Sequence, residues 1–146
     1  MKVGTLCVRE TVLIEQGESL LAAAKLMHNY HVGALVVVER DGEKNRPVGI
    51  VTDRDIALRC VAEERSPQTK VGELLAGELV TAPEEALLYD VLETMKAKGV
   101  RRIPVVDAQG YLAGIMTMDD VIEFLTDEMK AISALYYREV KKERRG

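Results

Sequence analysis

Short apolar runs alternate along this chain with stretches whose apolar residues recur every three or four positions. Thr11-Val12-Leu13-Ile14 is rich in β-branched residues and predicts a strand. Gly17-Glu18-Ser19 ends it, with Ser19 placed to cap a helix. Leu20, Ala23, Ala24, Met27 and Tyr30 then fall on one helical face. Val32-Gly33-Ala34-Leu35-Val36-Val37-Val38 is continuously apolar, as a strand covered on both faces must be. Asp41-Gly42 turns the chain and Pro47-Val48-Gly49-Ile50-Val51 returns as the next strand. Thr52 opens a second helix that runs toward Val61.

The same pattern then recurs. Residues 3–42 align with residues 71–110 without a gap, at an offset of 68, with Gly4/Gly72, Leu20/Leu88, Met27/Met95 and Val37/Val105 among the identical pairs. After a three-residue length difference the match resumes, Gly49-Ile50-x-Thr52-x-x-Asp55 against Gly114-Ile115-x-Thr117-x-x-Asp120. In the second copy Leu79-Val80-Thr81 predicts the first strand and Pro83-Glu84-Glu85 a helix start, with acidic residues favourable to the macrodipole. Leu88, Val91, Leu92 and Met95 form that helix's apolar face. Ile103–Val106 and Leu112–Met116 predict the remaining strands, and Thr117 starts the last helix.

One small unit has been used twice. Each unit reads β-α-β-β-α and is too small to bury its own sheet well. The expected fold is α+β: two such units related by a pseudo-twofold axis, their sheets packed together, plus a C-terminal helix. Expected boundaries are 1–62 for the first unit, 63–70 for a polar linker, 71–125 for the second and 126–146 for a helical extension. In the last helix Val121, Ile122, Leu125, Met129, Ile132, Leu135/Tyr136 and Val140 keep helical spacing for longer than one unit needs. A second subunit is the economical cover for that stripe. The basic tail Lys141–Arg145 reads as a solvated turn that complements the helix dipole, or as a docking motif for an acidic partner.

Composition narrows the function. Hydrophobic residues make up 47%, and with one Phe and no Trp the core must be aliphatic. A net charge of −4 argues against general affinity for nucleic acid or anionic membranes. No apolar run is long enough to span a bilayer, and the N-terminus has no apolar signal region, so a cytoplasmic protein is expected. Cys7 and Cys60 lack metal or redox spacing and read as buried residues. His28 and His31 lack the carboxylate or Cys company of a metal site. No nucleophile–base–orienter set and no glycine-rich phosphate loop occurs, so no catalytic activity is expected.

The two Thr-x-x-Asp elements carry the candidate chemistry. Each follows a Gly-Ile strand and begins a helix. They are capping boxes in one reading, with Asp a short substitute for the usual Glu. In the other reading the helix N-terminus meets an anion and the carboxylate accepts from a vicinal diol.

Gly99-Val100-Arg101-Arg102-Ile103-Pro104-Val105-Val106-Asp107, followed by Gly114-Ile115-Met116-Thr117-x-x-Asp120-Val121, resembles a cystathionine β-synthase (CBS) motif. Val32–Val38 followed by Gly49-Ile50-Val51-Thr52-Asp53-Arg54-Asp55-Ile56 resembles a second. The resemblance covers all but the C-terminal helix and implies a stand-alone tandem pair, a Bateman module. Such a pair binds adenosine-containing ligands in clefts between the motifs: AMP, ADP, ATP, S-adenosylmethionine and, in some members, NAD(H). It implies no required cofactor, an adenine nucleotide (AMP or ATP first) as ligand, a homodimer and an unidentified regulated protein as partners.

The implied ligand residues are Thr52, Asp55, Thr117 and Asp120 for ribose and phosphate. Thr11, Val12, Ala34, Leu35, Val80, Thr81, Ile103 and Pro104 would surround adenine. Arg101 and Arg102 would meet phosphate through guanidinium forks. The first copy has Gly33 and Ala34 in place of those arginines, with Arg54 as its compensating cation, so the two clefts are expected to be unequal in charge. The rival expectation is an interaction scaffold that uses the same fold without a small ligand.

Overall fold

The offset read from the sequence is carried into the backbone almost residue for residue in the computed structural model, which describes residues 1–146. The first repeat runs from α1 (Val3–Leu6) through β1 (Leu13–Glu15), α2 (Leu20–Tyr30), β2 (Ala34–Asp41) and β3 (Lys44–Thr52) to α3 (Asp53–Asp55), which continues as a π-helical segment, Ile56–Val61. The second runs from a 3₁₀ turn (Val71–Leu74) through β4 (Ala82–Pro83), α4 (Leu88–Lys98), β5 (Arg102–Val106) and β6 (Leu112–Thr117) to α5 (Met118–Glu143). Each repeat forms one three-stranded sheet, ordered β1-β2-β3 and β4-β5-β6, with a parallel first pair and an antiparallel second. Even the register break recurs, between Val37 and Val38 and between Val105 and Val106.

The helix ends show how local chemistry sets the elements. Ser19 caps α2, its Oγ accepting from the Ala22 N–H at 3.0 Å. Both α2 and α4 end on a left-handed residue, His31 (φ 54°) and Gly99 (φ 66°), at equivalent positions. Glycine takes that conformation without a Cβ clash. In the second repeat the first strand lies later than Leu79–Thr81, and Pro83 does not open the helix. Pro83 pairs with Val106 at the sheet edge, where a missing N–H is harmless, and α4 begins only at Leu88.

The sheets divide the apolar residues by the strand period of two. Leu35 and Val37 face a core with Ile14, Leu20, Ala23, Met27 and Val51. Ile103 and Val105 face an equivalent core with Ala82, Val91, Met95 and Met116. Val36, Val38 and Pro104 are as deeply buried but belong to neither core, and lie on the faces that bring the two sheets together.

The chain also crosses itself. Val3 and Cys7, from the start of the first repeat, complete the core of the second; Val71 and Leu74 complete the core of the first. The crossing is held by matched hydrogen bonds. The Leu20 N–H donates to the Thr69 carbonyl and the Leu88 N–H to the Met1 carbonyl, each at 2.9 Å, so each crossing segment caps the other repeat's helix. Gly114 must be glycine here, because a Cβ would lie 2.6 Å from the Val8 carbonyl oxygen as that segment pairs with Ile115. The three-residue length difference lies in the β2–β3 hairpin, whose ladder continues to Asp41–Lys44, whereas β5–β6 stops at Val106–Leu112.

Candidate functional site

Both Thr-x-x-Asp elements close as capping boxes. The Asp55 N–H donates to Thr52 Oγ1 (3.1 Å) and the Thr52 N–H to Asp55 Oδ2 (2.8 Å). At α5 the Asp120 N–H donates to Thr117 Oγ1 (3.2 Å) and the Thr117 N–H to Asp120 Oδ2 (2.8 Å), with the Thr117 hydroxyl also donating to Oδ2 (2.6 Å). Asp therefore suffices at the third position. In each box one carboxylate oxygen, Oδ1, is left without a protein hydrogen bond. The capping reading holds, and it leaves an acceptor for something else.

The first of these carboxylates opens on a cleft of about 300 Å³ between the repeats. Val48, Gly49 and Ile50 of β3 form one wall, and the segment from Leu74 to Val80 forms the other. Val100 and Arg102 close it from the second repeat, and Asp55 and Arg59 from the first. Eight of its fourteen lining residues are hydrophobic, and its charged groups are two guanidiniums and the carboxylates of Asp55 and Glu78. Arg59 pairs with Glu63 across one helical turn (3.2 Å), while Arg102 has no ion-pair partner. Such a cavity offers an apolar slot, one diol acceptor and one anion end.

Of the residues singled out from the sequence, this cleft gathers Asp55, Val80 and Arg102, with Thr52 fixing the carboxylate behind them. Arg54 is exposed and Arg101 is exposed, and neither lines the cleft; the Arg101 carbonyl instead accepts from the Met118 N–H at the start of α5. Thr11 and Val12 line a separate open groove with Arg9, Leu26 and Tyr30. Thr81 and Ile103 border a small cavity of about 120 Å³ beneath α4. The Leu35 and Ile103 side chains belong to the two cores and Pro104 is buried, so these strands offer a ligand mainly their backbone. Ala34 is half-buried and pairs with Thr52. Thr117 and Asp120 cap α5. Sequence reading passed over Arg59 and Glu78. Arg59 was findable, since it stands four residues after Asp55 and so on the same helical face.

The sequence positions equivalent to the cleft's, on the Asp120 side, are furnished differently. The repeat places Ala34 opposite Arg102, Phe124 opposite Arg59 and Arg9 opposite Gly77. Arg9 is tied down, to Glu84 (3.1 Å), to the Gly4 carbonyl (2.9 Å) and to the Ala113 carbonyl (3.4 Å). A cation is present at that position, but three of its five N–H donors are already engaged by the protein.

A clasp joins the hairpin tips. The Tyr111 hydroxyl donates to Asp41 (2.6 Å), and Lys44 and Arg46 lie 5.0 and 4.6 Å from its ring centre. That hydrogen bond holds the Tyr111 phenol above its ordinary pKa. The Tyr111 N–H, donating to Asp107, holds that carboxyl below its ordinary value. Strand β3 thus runs from the clasp, at Lys44 and Arg46, to the cleft, at Val48–Ile50. Elsewhere, both cysteines are free and buried, and burial raises the Cys7 pKa. No group of three or more His, Cys, Asp or Glu side chains is placed to hold a metal, and no helix is long and apolar enough to cross a membrane.

Comparison with known proteins identifies the family. The chain is 36% identical over 126 residues to the CBS domain-containing protein YhcV of Bacillus subtilis, covering 86% of each. It is 29% identical over 124 residues to the uncharacterized protein MK0525 of Methanopyrus kandleri, covering 84% of this chain but 62% of that protein. The structure superposes on the CBS domain protein PAE2072 of Pyrobaculum aerophilum, solved with AMP, with a TM-score of 0.72 at 27% identity, covering 82% of this chain and 89% of that one. The CBS domain family model matches twice, over residues 3–61 and 71–127, so the chain belongs to the CBS-domain family and carries its motif as a tandem pair.

Proposed function

We propose that this chain is a regulatory, ligand-sensing module whose first cleft takes an adenosine-containing nucleotide, AMP or ATP in the first instance. One observation carries the reading: a carboxylate with a free oxygen and two guanidiniums, from different repeats, line one apolar cleft. The ribose diol would donate to Asp55 Oδ1, the phosphate would accept from Arg102 and Arg59, and the base would lie among Val48, Ile50, Leu79 and Val80. The AMP complex of the Pyrobaculum relative supports the ligand class. Sensing requires that the nucleotide bind one arrangement of the repeats better than another. A cleft walled by both repeats meets that condition, because its width depends on their angle. A homodimer and a separate regulated protein would receive the change.

Titration calorimetry with AMP, ADP, ATP, S-adenosylmethionine and NADH tests the proposal. Sub-millimolar binding of at least one, at one site per chain and weakened at least tenfold in Arg102→Ala, is the expected result. Failure of all five to bind below a millimolar would overturn it. The scaffold reading has its own support, since both capping boxes are complete without a ligand and α5 presents an uncovered apolar stripe. That reading predicts binding by none of the five and full retention of self-association.

A further inference from the structure

Helix α5 is the one long element that the fold leaves uncovered beyond its first turn. Only Val121 is buried; Met129, Ile132 and Leu135 are 66%, 62% and 68% exposed. Ile122, Leu125, Met129, Ile132 and Tyr136 follow one another at intervals of three and four, the spacing of a two-helix seam. Charge on the same helix is segregated along its length. From Met118 to Met129 there are five carboxylates (Asp119, Asp120, Glu123, Asp127, Glu128) and no cation. From Lys130 to Arg145 there are six cations against two carboxylates. Lys130 pairs with Asp127 (3.3 Å), and no other charged side chain of α5 has an ion-pair partner.

We infer that α5 pairs with α5 of a second copy of this chain in antiparallel orientation, acidic half against basic half. A parallel pair would set five carboxylates beside five and six cations beside six. The antiparallel pair buries the same stripe with opposite charges facing, which is self-complementary about a twofold axis. A membrane surface fits less well, because an interfacial helix keeps its cations along the whole polar face. The inference rests on the homodimer of the proposed function and not on nucleotide binding, and it assigns both the contact and its direction.

Sedimentation equilibrium of the full chain at low salt should show a dimer, and Ile132→Asp a monomer with an unchanged far-UV spectrum. Reversing Arg138, Lys141 and Lys142 to Glu should weaken the dimer at least tenfold, and adding Asp119→Lys with Glu123→Lys, the carboxylates that face them across a twofold near residue 131, should restore it. Direction is read with spin labels on Ala131→Cys and on Lys142→Cys, the native cysteines being buried. The antiparallel pair gives a short distance at position 131 and one of about 30 Å at 142, from the 1.5 Å rise per residue. Equal short distances at both positions would overturn the direction while leaving the dimer. A monomeric wild-type chain, or a dimer that survives Ile132→Asp, would overturn the contact itself, whatever calorimetry shows for nucleotides.

Discussion

The cleft at Asp55 and the pseudo-equivalent positions around Asp120 share a frame and differ in chemistry. The cleft at Asp55 holds Arg59, Arg102 and Gly77; the repeat puts Phe124, Ala34 and Arg9 at the corresponding positions on the Asp120 side. Both carboxylates are held by the same box at nearly the same distances. The difference is where cationic donors remain available. In the cleft Arg102 is unpaired; at the equivalent positions on the Asp120 side the one cation, Arg9, is bound to Glu84 and two carbonyls. Duplication thus keeps the two Thr-x-x-Asp caps and the close-packed glycines, while the equivalents of the cleft's charged positions differ. The charge asymmetry is a property of a cleft and not of a repeat, since the first cleft joins Asp55 and Arg59 of one copy to Arg102 of the other.

Arg102→Ala should have the largest effect. Losing a charge-assisted hydrogen bond should cost about 1.5–3 kcal/mol, a ten- to hundredfold loss of nucleotide affinity. Asp120→Asn should leave that affinity within threefold. Equal losses in calorimetry would show that the clefts are not distinct. The converse experiment is Ala34→Arg, which gives the second cleft the cation that its partner has. Stoichiometry should rise from one toward two nucleotides per chain, with the new site weaker because Phe124 supplies no second guanidinium. An unchanged stoichiometry would mean that Arg9 and Glu84 fill the space.

Stability gives a smaller contrast. Asp55→Ala and Asp120→Ala each remove a cap, within about 0.5–2 kcal/mol, and urea denaturation should place Asp120→Ala higher. Its carboxylate also accepts from the Thr117 hydroxyl and starts a 26-residue helix, whereas Asp55 starts a short turn that passes into π geometry.

The smallest effect concerns the clasp at the far end of β3. Raised in the folded state, the Tyr111 pKa makes its contribution full below about pH 10 and lost as the pH climbs past that value. Lowered, the Asp107 pKa makes its contribution full above about pH 4 and lost on acidification. The melting difference between wild type and Tyr111→Phe should therefore be flat near neutrality and close above about pH 10. A constant difference through that range would detach the hydroxyl from Asp41.

Much of this was legible in the chain. The offset of 68, the Ser19 cap, the four buried residues Leu35–Val38 and both Thr-x-x-Asp boxes follow from contacts within a few residues. The start of α4 was misplaced by local reasoning, because Pro-Glu-Glu suits a helix N-terminus, while the repeat itself carries Leu20 onto Leu88. The crossing of Val3 and Val71 into each other's cores left no local trace, since an apolar residue does not name its partner.

What the sequence determined by itself was a duplicated frame, with strands, helices and caps set by periodicity and short-range hydrogen bonding. Only the tertiary structure decided that Asp55 and Arg59 share a cleft with Arg102 and that Arg9 is already occupied. Those neighbours are brought together by the packing of two sheets through Val36, Val38 and Pro104 and by the exchange of crossing segments. Burial of that kind selects a geometry between distant segments, which no spacing along the chain records.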